Sequence, residues 1–354
     1  MTTTQPVHPD VSIIIPARNE EVSLGACLES LVSQQGVEFE IIVVNDHSVD
    51  RTREIAESFA KAHVIDAGPL PPGWTGKNNA VATGAQAARG EWLLFTDADT
   101  VHLPGSLSRS LAEAKQNAAA LLSYSPEQVV TGFWERAVMP VIFAELAAQY
   151  RPSEVSDARS PAAAANGQYI LITRDAYDAI GGHAAIASSL LEDVELARAV
   201  KGSGRKILFR FGGDVVRTRM YRSFSELREG WTKNLAILFP APARLAIWRF
   251  LEFLALVFSL ALFILFVAYR EFLFAPLFLI GPILTLWRIA RAHFSWKANA
   301  LVLFGLPLFS YLLLRSKLSH QRGKVSWKGR EYGTADSRPE EFRDQASSIV
   351  RKLS

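Results

Sequence analysis

The sequence is poor in cysteine and nearly balanced in charge, and both features exclude classes of protein. Its 354 residues include one cysteine, Cys27, so no disulfide can form within the chain. In its helical pattern this residue is interpreted as a small core side chain. The formal net charge is +3, which gives no reason to expect a nucleic-acid partner. No G-x-G-x-x-G sequence follows the first predicted strand, so a dinucleotide-dependent oxidoreductase is disfavoured.

Long apolar runs are missing from the first two thirds of the chain and dominate the last third. The segment from Met1 to Asp10 is polar and does not resemble a signal peptide, so we expect the first domain to stay on the cytoplasmic side. Charged residues are spread up to about Pro240, after which Leu, Phe, Ile, Val and Ala prevail. We predict a first domain over residues 1–240, membrane-associated helices over 241–318 and a basic, cytoplasmic tail over 319–354.

Short apolar runs alternate with amphipathic patterns in the first domain. Strands are predicted at residues 11–15, 40–44, 92–95 and 120–124, and helices at 22–34, 51–61, 77–88 and 105–117. Strands without polar alternation are typical of sheets that are covered on both faces. Strand alternating with helix therefore predicts the α/β class, with a mostly parallel sheet between two layers of helices.

Chemically active residues come directly after three of these strands. The first strand is followed by Pro-Ala-Arg-Asn-Glu at 16–20, the second by Asn45-Asp46 and the third by Asp97-Ala98-Asp99. In open parallel sheets, ligands bind beyond the carboxyl ends of the strands. We therefore expect these side chains to form one site along a single edge.

Asp97 and Asp99 are the candidate metal ligands. Two like charges this close repel each other, which favours a divalent cation between them and a ligand. Hard oxygen donors suit Mg²⁺ or Mn²⁺, and diphosphate oxygens and water would complete the coordination. Such a cation would neutralise the charge that develops on a departing nucleoside diphosphate.

Four motifs in this order resemble glycosyltransferase family 2, whose catalytic domain has the Rossmann-like GT-A fold: residues 16–20, Asn45-Asp46, Asp97-Ala98-Asp99 and Glu192-Asp193. Residues 71–77, 219–221 and 230–234 are similar to a narrower branch. That branch contains hopanoid-associated and carotenoid glycosyltransferases, which carry hydrophobic C-terminal segments. The resemblance implies inverting transfer of a sugar from an activated donor, usually linked to uridine diphosphate.

The resemblance also implies how the nucleoside is held. Pro16, Ala17 and Glu20 would lie along the nucleoside, and Asp46 would contact the base or the ribose. Members of the family often have two aspartates where this chain has Asn45-Asp46. Asn45 is therefore the weaker candidate of the two.

Three residues are predicted to bind the donor phosphates and the metal. Asp99 would bind the metal directly, and Asp97 would contact the ribose or support the metal, as the resemblance implies. Lys77 stands at the start of a predicted helix. A cation and free helix N–H groups together hold phosphate well, so Lys77 is predicted to bind the diphosphate.

Glu192 and Asp193 are the candidate catalytic residues. The resemblance nominates Asp193 as the general base that deprotonates an acceptor hydroxyl, with Glu192 orienting the base or the acceptor. A single displacement inverts configuration, so the base must lie opposite the leaving group. No covalent sugar–enzyme intermediate is expected.

Residues 167–172, a predicted strand that includes Gln168, would form the floor of the sugar or acceptor pocket. Glycine at position 167 permits close approach of backbone to a ligand. His183, after a pair of glycines, would contact the sugar or the acceptor, or else be a structural residue of a turn.

A later helix carries Arg228, Trp231 and Lys233. Membrane-associated members of the family often have a Gln-x-x-Arg-Trp signature in this region, with a different spacing. Trp231 is predicted to stack against the acceptor, and Arg228 or Lys233 to meet the diphosphate.

Three apolar stretches in the last third are predicted to enter a membrane. They cover residues 248–269, 272–289, with a kink at Gly281-Pro282, and 298–314; the first is long enough to span a bilayer. Basic residues after the third favour a re-entrant or tilted segment with a cytoplasmic tail. Residues 131–150 form another apolar stretch, for which an interfacial helix and a buried helix are both considered.

The sequence as a whole predicts a multi-pass membrane protein. It would transfer a sugar from a nucleotide-sugar to a hydroxyl or carboxyl group of a lipid or isoprenoid. Mg²⁺ or Mn²⁺ is the expected cofactor. Polyprenyl phosphate is the main alternative acceptor. A phosphatase of the haloacid-dehalogenase type, with Asp97 as nucleophile, is an alternative from another class, because residues 97–101 also fit D-x-D-x-V.

Overall fold

The computed structural model describes residues 8–323, 325–327 and 330–332. Its strands are β1 Val11–Ala17, β2 Phe39–Asn45, β3 Ala62–Asp66, β4 Trp92–Phe95, β5 Thr100–His102, β6 Leu121–Ser125, β7 Glu127–Gln128, β8 Ile170–Thr173, β9 Ile207–Phe211, β10 Val216–Thr218, β11 Val325–Trp327 and β12 Arg330–Tyr332. Its α-helices are α1 Leu24–Val32, α2 Thr52–Glu57, α3 Gly76–Ala87, α4 Ser106–Gln116, α5 Phe133–Gln149, α6 Pro152–Ser156, α7 Arg174–Ala179, α8 Glu192–Gly202, α9 Phe224–Leu238, α10 Pro242–Ala268, α11 Ile280–Ala290, α12 Trp296–Asn299 and α13 Val302–Gln321.

The sheet unit comprises the described residues up to Val129 together with Tyr150–Met220. Its main sheet has seven strands in the order β3-β2-β1-β4-β8-β6-β9. All are parallel except β8, which runs antiparallel to both of its neighbours. A smaller sheet has the order β5-β10-β7. The predicted α/β class and mostly parallel sheet are therefore confirmed.

The main sheet is covered on both faces, which is why its strands are apolar without alternation. Leu24, Leu28 and Leu31 of α1 belong to the core on one face, together with residues of α2 and α4. Val81 of α3 and Leu196 of α8 belong to the core on the other face.

Helix α3 lies unusually close to the sheet because of Gly84. A Cβ atom at this position would be 2.5 Å from the side chain of Ile14 and 2.9 Å from that of Val44. Any larger residue would push the helix away from β1 and β2. The glycine thus fixes the distance at which the start of α3, which carries Lys77, reaches the sheet.

The helical unit comprises Val130–Gln149 and the described residues from Tyr221 onwards. Within it, α13 packs against α5, α9 and α10. Helix α9 begins with a capping pair, since the Ser223 hydroxyl accepts from the N–H of Glu226 at 3.1 Å. Residues 131–149 and 221–240, which the sequence-based division placed in the first domain, thus pack with the C-terminal helices.

Two helices are long and apolar enough to cross a membrane by length and composition. The most apolar window of α10 has a mean hydropathy of 2.7 and is 6% buried within the protein. The corresponding window of α13 has a mean hydropathy of 1.2 and is 50% buried. Helix α10 covers the first predicted span and begins earlier, at Pro242.

The second predicted span, residues 272–289, is not a single helix. A 3₁₀ turn, Ala275–Leu279, leads into the short helix α11. Gly281 and Pro282 lie in the first turn of α11, directly after the change from 3₁₀ to α-helix, and the missing N–H of proline costs no hydrogen bond there. The third predicted span is divided between α12 and α13, and α13 continues to Gln321. Residues 333–354, most of the predicted tail, lie outside the described residues.

Helix α5 corresponds to the stretch for which an interfacial helix and a buried helix are both considered. Val138, Val141 and Ile142 in its middle are fully buried. Its exposed large apolar side chains are Phe133 and Trp134, in the first turn. The burial of its middle agrees with the alternative of a buried helix, and contact of its first turn with a membrane stays a prediction.

Candidate active site

The carboxyl ends of three neighbouring strands meet at one edge of the main sheet. In the register of β1 with its neighbours, Ala17 pairs with Asn45 and Ile14 pairs with Phe95. The backbone N–H of Asp46 donates to the carbonyl of Ala17 at 2.8 Å. The residues that follow β1, β2 and β4 therefore begin at the same edge.

The antiparallel strand β8 brings a second stretch of chain to this edge. Ile170 at its start pairs with Phe95 at the end of β4. Gly167, just before β8, donates its N–H to Oδ2 of Asp193 at 3.0 Å. The beginning of α8 is thereby tied to the edge that carries Asp97.

Lys77 connects the carboxylates of these two stretches. Its Nζ lies 2.8 Å from Oδ1 of Asp97 and 2.8 Å from Oε1 of Glu192. Lys77 is the second residue of α3, whose N-cap is the side chain of Thr75. The structure places the ammonium on two carboxylates, and its contact with a diphosphate stays a prediction.

Asn78, which follows Lys77, fixes the loop before α8. Its side-chain amide donates to the carbonyls of Ile186, Ala187 and Ser189 at 2.9, 2.9 and 3.1 Å. The start of α3 and the approach to Glu192 are therefore held together by a buried polar side chain. No sequence pattern indicates this role, because its partners are backbone atoms more than a hundred residues away.

Burial and charge act in opposite directions on the titrating groups of the site. Burial alone would lower the pKa of Lys77, but the charges of Asp97 and Glu192 outweigh it and hold this pKa well above its usual range. Burial and the Glu192 charge raise the pKa of Asp193 to about 6, although Lys77 and two backbone N–H groups oppose them. A carboxylate with such a pKa is suited to general base catalysis near neutral pH.

Gly167 keeps space open beside this cluster. A Cβ atom there would lie 3.1 Å from Nζ of Lys77 and 3.4 Å from Oε1 of Glu192. A small pocket lies here, and its lining includes Pro16, Lys77, Phe95, Asp97, His183 and Glu192. Residues predicted for the donor and for the base therefore border the same space.

Threonine hydroxyls fix the backbone of the turn that carries Asp97 and Asp99. The Thr100 hydroxyl donates to the carbonyl of Asp97 at 2.8 Å, and the Thr218 hydroxyl donates to that of Asp99 at 3.2 Å. Thr96 donates to the carbonyl of Gln168 at 2.9 Å. Thr96 and Thr100 flank the motif and could have been nominated from sequence, whereas Thr218 lies in β10 and could not.

The residues of this turn fit a hard divalent cation. Asp97 and Asp99 are both partly exposed on either side of the buried Ala98, and carboxylate oxygens are ligands that Mg²⁺ and Mn²⁺ prefer. Among the described residues, no group of three or more His, Cys, Asp and Glu side chains is gathered as a metal cage. A cation here would depend on further oxygen ligands such as those of a diphosphate.

The predicted nucleoside-binding residues lie at the adjoining strand ends. Asp46 is 5% exposed, and its Oδ1 is 3.3 Å from Nδ1 of His47. The N–H of Glu20 donates to the Thr52 hydroxyl at 2.7 Å. Asn45 has a structural role, since its amide donates to Oδ1 of Asp66 on β3 at 2.9 Å.

Two of the pocket candidates are engaged in packing. The amide of Gln168 donates to the Thr218 hydroxyl at 3.1 Å. His183 is hydrogen-bonded to the Tyr177 hydroxyl at 3.0 Å and packs edge-on against Phe95. Burial lowers the pKa of His183 to about 4, so its ring is neutral. The structural alternative considered for His183 accounts for these contacts, although it also borders the pocket.

The three candidates of α9 belong to the helical unit. Trp231 is 2% exposed, and its indole N–H points to the sulfur of Met139 at 3.3 Å. The carbonyl of Lys233 is hydrogen-bonded to Nε2 of His320 at 2.8 Å. Arg228 is partly buried. Roles for Arg228, Trp231 and Lys233 toward acceptor or diphosphate stay predictions.

Comparison with known proteins finds a matching family model and curated relatives. A family model described as glycosyl transferase family 2 matches residues 12–181. The 4,4'-diaponeurosporenoate glycosyltransferase of Staphylococcus aureus (strain MRSA252) is 29% identical over 345 residues, which cover 92% of this chain and 88% of the relative. The protein of that name from strain USA300 is 29% identical over 339 residues, with the same coverage.

A solved structure resembles the fold. The mannosyltransferase PcManGT from Pyrobaculum calidifontis, solved in complex with GDP-Man and Mn²⁺, superposes with a TM-score of 0.52 at 17% identity. The superposition covers 89% of this chain and 87% of that chain. At this identity the likeness supports the fold alone.

The fold is of the GT-A type found in glycosyltransferases. Residues 12–181 match the family model of glycosyl transferase family 2, and the chain is a glycosyltransferase. The phosphatase alternative finds no support, because Asp97 follows the fourth strand and pairs with Lys77.

Proposed function

We propose that this enzyme transfers a sugar from a uridine-diphosphate-linked donor to a lipid or isoprenoid hydroxyl or carboxyl group at a membrane. The observation that carries the proposal is the line of contacts from Asp97 through Lys77 to Glu192, with Asp193 next in sequence. This line joins the residues predicted for the donor to the residue predicted as the base.

The donor half of the site lies at the ends of β1, β2 and β4. Pro16, Ala17, Glu20 and Asp46 would hold the nucleoside along these strand ends. The carboxylates of residues 97 and 99 would hold Mg²⁺ or Mn²⁺, which when bound neutralises charge on the leaving diphosphate. Without a cation, these carboxylates would repel a diphosphate.

The base half of the site lies at the start of α8. The oxygen of an acceptor hydroxyl attacks the anomeric carbon, and its proton passes to a carboxylate oxygen of Asp193. The bond between the anomeric carbon and the diphosphate oxygen breaks, and its electron pair leaves with the nucleoside diphosphate. Lys77 stands between the two halves, with its ammonium 2.8 Å from a carboxylate oxygen of Asp97 and 2.8 Å from one of Glu192.

The acceptor is proposed from the relatives and from the apolar helices. The Staphylococcus proteins are named for a carotenoid-type carboxylate, diaponeurosporenoate. Helices α10 and α13 meet the length and composition of membrane spans. We propose a multi-pass membrane protein whose catalytic domain faces the cytoplasm and whose acceptor is delivered from the bilayer.

Donor binding is expected to depend on a divalent cation and on Asp99. In titration calorimetry of the detergent-solubilised enzyme, UDP should bind in the presence of Mn²⁺ and lose at least about tenfold in affinity with Asp99→Ala, since one hard ligand is lost. Asp175→Ala serves as a control, because its side chain is exposed at the surface. Equal, Mn²⁺-independent binding by Asp99→Ala and the wild type would contradict the proposal.

A further inference from the structure

The backbone carbonyls of Asp97 and Asp99 are each bound by a threonine hydroxyl, which has a single proton to donate. Thr100 donates to the carbonyl of Asp97 at 2.8 Å, and Thr218 donates to that of Asp99 at 3.2 Å. Both threonines are at most 1% exposed. Solvent therefore does not compete for the two hydroxyl groups, and their direction is set by neighbouring protein groups.

Thr218 is the last member of a directed chain of hydrogen bonds. The side-chain amide of Gln128 donates to the side-chain oxygen of Gln168 at 3.4 Å, and the amide of Gln168 donates to the Thr218 hydroxyl at 3.1 Å. Because the hydroxyl oxygen accepts from Gln168, its own proton is left to point at Asp99. All three side chains of the chain are buried, where hydrogen bonds in series strengthen one another.

Thr100 is supported in a similar way by His102 of β5. The Nε2 atom of His102 is 3.1 Å from the Thr96 hydroxyl and 3.3 Å from the Thr100 hydroxyl. These hydroxyls already donate their protons to the carbonyls of Gln168 and Asp97. Burial lowers the pKa of His102 to about 3, so the ring is neutral and has one N–H. That N–H is therefore placed on Nε2, which donates to the threonines.

We propose that Thr218, directed by Gln168, is a positioning residue for the divalent cation and acts through the backbone of Asp99. The carbonyl and the carboxylate of Asp99 extend from the same Cα atom, so a change in the direction of one changes that of the other. Groups that orient metal ligands from outside affect metal affinity strongly. This inference rests on the cation-dependent donor binding of the proposed function and adds to it a residue of β10.

UDP binding to the detergent-solubilised, full-length enzyme tests the role of the hydroxyl. Thr218→Val keeps the size of the side chain, and it should lower the UDP affinity about tenfold when Mn²⁺ is present. In a chelator of divalent cations, this variant should bind UDP as the wild type does, because the nucleoside contacts are untouched. Thr218→Ser restores a hydroxyl and should restore Mn²⁺-dependent binding. Wild-type affinity of Thr218→Val with Mn²⁺, or no recovery in Thr218→Ser, would overturn the inference.

The matched control is Thr83→Val. The Thr83 hydroxyl also donates to a backbone carbonyl, that of Asn79 at 2.8 Å, but within helix α3. Its loss should leave UDP affinity unchanged with Mn²⁺ and with chelator. An equal loss in Thr83→Val and Thr218→Val would show that removal of any such hydroxyl has this effect, and would overturn the assignment to Thr218.

Two further variants separate positioning from a general structural role. If Thr218 acts through Asp99, then Thr218→Val should weaken UDP binding no further in an Asp99→Ala background. A structural role would instead add to the loss caused by Asp99→Ala. Gln168→Met removes the donor that directs Thr218 and should also weaken Mn²⁺-dependent binding, whereas wild-type affinity would overturn the part assigned to Gln168. Equal UDP binding by the wild type with Mn²⁺ and with chelator would contradict the proposed donor site itself.

Discussion

Lys77 is the residue at which the charges of the site converge. Its position at a helix start predicts a diphosphate as its partner, and the structure shows it on Asp97 and Glu192. A helix-start position predicts that the ammonium can reach the sheet edge. It does not predict which anions lie there, because Glu192 is brought in by tertiary structure.

The pKa of Asp193 gives the activity an expected dependence on pH. This pKa is raised from its ordinary value to about 6, so the base is lost by protonation as the pH falls through that value. The kcat/KM for sugar transfer should therefore have an acidic limb near pH 6. Glu192→Gln should move this limb to lower pH, because a neighbouring negative charge is removed, and Lys77→Met should move it to higher pH.

The pH profiles of these variants provide the check. Glu195→Gln, on the same helix and paired with Arg198, is the matched control and should leave the limb within about half a pH unit of the wild type. If the acidic limb stays at the same pH in both Glu192→Gln and Lys77→Met, the group that titrates there is not Asp193.

The individual residues of the site were predictable to different extents. Asp46, Asp97 and Asp99 follow strands, so their position at one edge could be inferred from sequence. Thr218 could not be inferred, because its hydrogen bond to the carbonyl of Asp99 joins residues 119 positions apart. For Gln168, the sequence indicated the region of the pocket but not that its amide is used by Thr218.

At the scale of elements, apolar runs predicted where strands lie but not how they run. The predicted strands 11–15, 40–44 and 92–95 correspond to β1, β2 and β4. A β-branched run reports burial on both faces and carries no information on direction. The antiparallel orientation of β8 was therefore not predicted, and it is this orientation that brings Gly167 to the site.

The charged residues within the apolar helices form a network that hydropathy alone does not reveal. Glu252 of α10 bonds to Arg249 of the same helix and to Arg288 of α11. Both arginines also pair with Glu145 of α5. Thr285 donates to Glu252 at 2.9 Å. Acidic residues that interrupt an apolar pattern are here paired across three helices.

Removing one member of this network should destabilise the helical unit. Arg288→Met would remove a positive charge that pairs with the partly buried carboxylates of Glu145 and Glu252. The free energy of unfolding should fall by about 3 kcal/mol. Arg291→Met, whose guanidinium lies 3.9 Å from the centroid of the Trp287 ring, should cost about 0.5–1 kcal/mol. The stability of both variants is compared by thermal unfolding in detergent. Equal losses of stability would mean that Arg288 in the network contributes no more than the exposed Arg291 does.

At the scale of the whole molecule, composition predicted the change from a mixed to an apolar chain near Pro240. It did not predict that residues 130–149 pack with helices of the last third of the chain. An apolar helix pattern shows that a helix is buried but does not identify its partner. The same limit applies to the second predicted span, because hydropathy does not report whether a helix is continuous.

The roles proposed for Asp97, Lys77 and Asp193 all depend on transfer of sugar to a membrane lipid. In the most direct measurement, membranes containing the enzyme are incubated with a series of labelled UDP-sugars, with and without a chelator of divalent cations. The masses of the extracted lipids are then determined by mass spectrometry. We expect a lipid that gains the mass of one sugar residue and that disappears on chelation. No sugar-bearing lipid with any donor, or a phosphoryl group trapped on Asp97, would contradict these roles.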